Sequence, residues 1–163
     1  MNEPFRDIEH AISTFESRLA SGTARWTPVR DRPEFQDIIK SELFGKTPVA
    51  WQRLVGLLPF EIYDSECSAC ILLEEPRWND WLRTGHLVDS PTAPSESDLI
   101  IAGDGGGDWY AIRVSDPLMP SDAKVTHWDH ETTHISTEWP TIAAFASHIF
   151  DMCENGVLPE EDA

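Results

Sequence analysis

The stretch Asp98-Leu99-Ile100-Ile101-Ala102-Gly103-Asp104-Gly105-Gly106-Gly107-Asp108-Trp109-Tyr110-Ala111-Ile112-Arg113-Val114 decides the fold. Its apolar run, Leu99 to Ala102, has the length of a buried strand. Four glycines between Gly103 and Gly107 then admit positive φ without a steric penalty, as a tight turn needs. Tyr110, Ile112 and Val114 alternate along the return segment, so they share one face of a strand. Asp98–Ala102 and Asp108–Val114 are therefore predicted as the arms of an antiparallel hairpin.

Downstream, two prolines between Asp116 and Asp122 mark a loop. Lys124–Asp129 is predicted as a third strand, and the β-branched stretch Thr132–Thr137 as a fourth. Pro140 opens a closing helix whose buried face carries Ile142, Phe145, Ile149 and Met152, with Asn155-Gly156 as its stop.

Upstream the pattern turns helical. Phe5, Ile8, Ile12, Phe15 and Leu19 form one stripe between Pro4 and the stop Ser21-Gly22. A second helix is predicted from Pro33 to Phe44 and stops at Gly45. A third, capped by Thr47-Pro48, carries Trp51, Leu54, Val55 and Leu58. Arg25, Arg30 and Arg32 sit in a loop and are given no functional weight. Phe60–Leu73 reads as strand or helix. Pro76 opens a Trp-rich segment with Trp78, Trp81 and Leu82, and Ser90–Ser97 reads as a loop. Helices, a glycine-linked antiparallel meander in the C-terminal half and a covering helix make an α+β class. One domain is expected over residues 1–156, followed by a flexible acidic tail at 157–163.

Charge narrows the function. The 163 residues include 29 Asp and Glu against 12 Lys and Arg, a formal net charge of −17. Such a surface repels phosphate backbones and anionic membranes, which argues against both as partners. It attracts a basic protein. Solubility alone also explains strong charge. No apolar run reaches the length of a membrane span, and the N-terminus has no secretory h-region, so the cytoplasm is the expected compartment. Three cysteines, with Cys67 and Cys70 as a lone C-x-x-C and Cys153 apart, suit a reducing environment. They fit small buried residues better than a redox pair or a four-cysteine zinc site.

Four ordered features between Asp98 and Phe150 resemble the SUKH superfamily, the Smi/Knr-like domains of fungal cell-wall regulators and bacterial immunity proteins. They are the strand Leu99-Ile100-Ile101-Ala102 running into a glycine-rich turn, and Gly107-Asp108 leading into Trp109-Tyr110-Ala111-Ile112. Val125-Thr126-His127-Trp128 before Asp129-His130-Glu131 is the third, and a closing helix with Phe145 is the fourth. Upstream, Leu58-Pro59 and Tyr63 match the start of the family's middle motif, but its Asn-Gly pair is missing. The resemblance implies a non-enzymatic domain without a cofactor that binds a protein. In bacteria that protein is a toxin, often a basic nuclease, neutralised in the producing cell. A regulatory or scaffold protein of the same fold is the alternative. The oligomeric state stays open.

Clustering near strand ends nominates Asp104, Asp108, Asp129 and Glu131 as partner-binding residues, with Trp109 as an interface aromatic beside the glycine turn. The sharpest rival is His130-Glu131-Thr132-Thr133-His134, which matches H-E-x-x-H. On a helix, His130 and His134 would hold zinc, Glu131 would activate water, and Glu154 would supply a third ligand. The β-branched residues within and after the motif disfavour that helix, so a polar strand end and turn is preferred. His127 and Asp129 widen the cluster of metal-binding residue types, which a polar hairpin explains equally. The glycine-aspartate stretch lacks the repeats of a calcium-binding roll and the spaced ligands of an EF-hand, and no helix follows it as a dinucleotide fingerprint requires.

Overall fold

A computed structural model describes residues 6–21, 26–28, 33–57, 60–63, 70–78, 97–104, 106–132 and 134–155. The predicted hairpin forms as β4 (Asp98–Asp104) and β5 (Trp109–Arg113). It is the middle of a seven-stranded antiparallel sheet. The other strands are β1 (Trp26–Pro28), β2 (Phe60–Tyr63), β3 (Cys70–Trp78), β6 (Val125–Asp129) and β7 (His134–Trp139). Their spatial order is their sequence order. The class is α+β, as expected, with the meander extending into the N-terminal half.

Alternation assigns the faces. Tyr110 and Ile112 point to the helices, and Trp109 and Ala111 point away. A register shift between Ile100 and Ala102 lets Ile101 and Ala102 both enter the main core beside Leu99. Helices α1 (Ile8–Ser21), α3 (Val49–Leu57) and α4 (Ile142–Asn155) pack together and complete that core. Ala11 and Phe15 come from α1, Trp51, Leu54 and Val55 from α3, and Ile142, Phe145, Ala146, Ile149 and Phe150 from α4. Phe145 is wholly buried. Its ring centroid lies 5.0 Å from Tyr110, 5.0 Å from Trp139 and 6.1 Å from Trp51.

Helix ends have specific partners. Asp7 Oδ1 accepts the His10 N–H at 2.9 Å and caps α1. The first turn of α3 is satisfied from another loop: Val49 N–H donates to the Pro120 carbonyl and Ala50 N–H to the Ser121 carbonyl. Thr47 does not cap that helix with its side chain as predicted. Its buried hydroxyl donates backwards to the Phe44 carbonyl at 2.7 Å. At α4, Thr141 Oγ1 accepts from Ala144 N–H, while Asp122 Oδ1 accepts from both Ile142 N–H (2.9 Å) and Ala123 N–H (2.8 Å).

Further boundaries differ from the sequence reading, and the fourth strand runs over His134–Trp139 instead of Thr132–Thr137. The second helix, α2 (Pro33–Lys40), ends four residues early, because Ser41 Oγ accepts the Phe44 N–H and starts a separate 3₁₀ turn, Phe44–Lys46. Pro76 does not open a new segment. It is buried within β3, where the register shifts between Leu73 and Arg77 and spares the ladder a missing donor. Gly103 and Asp104 belong to β4, not to the turn. The Glu74 carboxylate occupies the space a Cβ at Gly103 would need. Positive φ falls at Gly107, at +104°. Pro4, Phe5, Leu58, Pro59, Cys67, Trp81, Leu82, the three loop arginines and the tail 157–163 lie outside the described residues.

Two substitutions test this packing by urea unfolding monitored by circular dichroism. Phe145→Ala is expected to cost about 3–5 kcal/mol, because it empties the centre of the core. Asp122→Ala is expected to cost about 1 kcal/mol, the range of a lost helix cap. Equal costs would contradict the central place given to Phe145.

Candidate protein-binding site

The antiparallel meander delivers the predicted site residues to one end of the sheet. Asp104 ends β4, Asp108 and Trp109 begin the return, Asp129 ends β6, and Glu131 sits in the turn to β7. Register links them across strands: Gly103 opposes Trp109, Trp109 opposes Trp128, and Asp129 opposes His134.

Within this cluster the roles divide. Asp108 is a brace between two turns. Its Oδ1 accepts the His130 backbone N–H at 2.9 Å and lies 2.6 Å from His130 Nδ1. Its Oδ2 lies 3.3 Å from His127 Nε2. His127 Nδ1 in turn lies 2.6 Å from Ser136 Oγ. A carboxylate oxygen only accepts, so His130 Nδ1 carries the proton it shares with Asp108, while His127 Nε2 meets the other oxygen at ion-pair distance. The chain Ser136–His127–Asp108–His130 thus ties β7, β6 and the β4–β5 turn together. Gly107 fits this arrangement: a Cβ there would lie 3.4 Å from the His130 ring, on a backbone already at positive φ.

Asp129 shapes its own turn. Its Oδ1 accepts the N–H groups of Glu131 and Thr132, each at 2.8 Å. The Thr132 N–H is the main cause that holds this carboxyl below the usual range, with burial opposing it. Glu131 is exposed at the turn tip. Trp109 is half-buried, with its ring 4.7 Å from Trp128 and the Arg77 guanidinium 5.0 Å above it. Arg77 also pairs with Glu74 at 3.2 Å. For Asp104 only the backbone position is described. The sequence reading missed Arg77 and the clasp of Asp108 by His127 and His130. The available signal was that hairpin register brings positions 108 and 130 to the same end.

The helix that the zinc reading requires does not form. His130 to Thr132 make a turn and His134 opens β7, so the two imidazoles do not share a helical face. The β-branched residues Thr132, Ile135 and Thr137 account for the extended ending. Glu154 lies in α4. Among the described residues, no group of three or more His, Cys, Asp or Glu is arranged to hold a metal ion, and no helix is long and apolar enough to cross a membrane.

The clasp has a pH signature. The hydrogen bond to Asp108 pushes the His130 imidazole above its ordinary range, desolvation opposes this, and the charges of Asp108, Glu131 and Asp129 reinforce it. A raised histidine stabilises the clasp fully below about pH 6.5, and that contribution is lost as pH rises through the folded value. A proton NMR titration is expected to show His130 with a higher midpoint than an unstructured histidine, returning to the ordinary range in Asp108→Asn. An unchanged midpoint in that variant would contradict the clasp. Comparisons with protein-family models, curated proteins and solved structures give no match.

Proposed function

We propose that this chain is an immunity-type binding protein of SUKH kind, which neutralises a cognate basic toxin in the cytoplasm of the producing cell by direct contact and without catalysis. One observation carries the reading. Lys124 is the last basic residue, and residues 125–163 contain eight acidic side chains with no Lys or Arg. Part of that segment, Asp129 and Glu131, shares a sheet end with Asp108. Such a surface steers a cationic partner and rejects polyanions. A nuclease that has evolved to hold phosphates presents the matching positive cleft. The motif resemblance from Asp98 to Phe150 supports the same reading.

Capture from a lysate of the source cells, at low salt and with the chain immobilised, tests it. The expected result is one basic toxin near equal stoichiometry, with affinity falling about tenfold or more on going to high salt as screening shortens the reach of surface charge. Several neutral partners held independently of salt would instead favour a scaffold. No toxin from cells that demonstrably make one would overturn the proposal.

A further inference from the structure

A sequentially ordered sheet has two edges, and here they differ. β1 has three residues and closes on Pro28, which has no N–H to offer. β7 has six residues, His134-Ile135-Ser136-Thr137-Glu138-Trp139, with neither proline nor lysine. Among the described residues β7 is the last strand of the sheet, and no backbone hydrogen bond joins it to a turn or loop. His134, Ser136, Thr137 and Glu138 are exposed. An edge of this length and β-branched content is a template for another strand.

Two features select the occupant. The register shift between His127 and Trp128 leaves Ser136 as an extra residue on β7. Such a bulge twists an edge and opposes flat pairing with a second rigid sheet. A net charge of −17 also repels a second copy. Carboxylates outnumber cations along the edge: Asp129 and Glu131 lie at its start, and Glu138 near its end, where Lys124 pairs with it at 3.5 Å and both side chains are half-exposed. A flexible, extended, cationic segment satisfies the open backbone and these carboxylates together.

We propose that β7 is the docking edge, and that a Lys- or Arg-rich extended segment of the partner adds to it as an eighth strand. This rests on the immunity reading for the identity of the partner, and names the site and the mode of contact. Backbone pairing supplies the extended geometry, and Glu131 and Glu138 select the charge.

The probe is a short synthetic peptide alternating Lys with Val or Thr, compared with the same peptide N-methylated at alternate residues. The second keeps the charge and loses the donors that pair with an edge. With the full chain at low salt, the parent peptide is expected to bind and to slow hydrogen exchange at β7 amides, and the methylated one to bind at least tenfold more weakly. Glu131→Gln with Glu138→Gln is expected to weaken the parent peptide about tenfold, with an unchanged circular dichroism spectrum. Equal binding of both peptides, or protection elsewhere on the sheet, overturns the proposal. So does failure of both peptides; if a toxin is still captured from the lysate, that failure removes the edge and spares the immunity reading. Loss of toxin capture with peptide pairing intact does the reverse.

Discussion

Burial of Phe145 against Tyr110, Trp139 and Trp51 is the contact on which the other features depend. It fastens α4 to β5, to the end of β7 and to α3 at one point. Because side chains alternate along a strand, fixing Tyr110 inward fixes Trp109 outward. A one-residue slip would send Tyr110 to the outer face and break both the core and the turn clasp.

The polar framework follows that packing. Asp122 receives the first N–H of α4, while the neighbouring carbonyls of Pro120 and Ser121 receive those of α3. One loop therefore holds the starts of two helices. At the opposite end of β5 and β6, Asp108 gathers His127 and His130. Acidic residues there serve two purposes: Asp108 and Asp129 hold turns, and Glu131 faces solvent. A carboxylate engaged by backbone N–H groups keeps its negative charge, so structural and electrostatic roles coexist at this sheet end.

The sequence was most legible where apolar period and turn chemistry agreed. Leu99 to Ala102, the glycines after them, and Tyr110 and Ile112 specify a hairpin locally. Ile142, Phe145 and Ile149 specify a helix face. Legibility failed where a tertiary partner decided the outcome. Pro76 reads as a break, yet a register shift absorbs it inside β3. Thr47-Pro48 reads as a cap, yet carbonyls some seventy positions away do the capping. His130 to His134 matches a metal motif by letters, and only the β-branched neighbours reveal its extended ending. The nominated acidic residues gather at one sheet end as their places near strand ends suggest, but their bonds were not legible. Nothing in local spacing shows that Asp108 braces two histidines or that Arg77 lies over Trp109.

The proposed docking of a cationic partner along the edge strand β7 has a direct test. The most direct measurement is an amide hydrogen-exchange map of the chain alone and in complex with the toxin captured from its own cells. The account predicts that added protection concentrates in β7 and the preceding turn, at residues 130–138, while β4 and β5 stay as they were. Protection centred instead on α1, or on the outer face around Trp78 and Trp109, would contradict it.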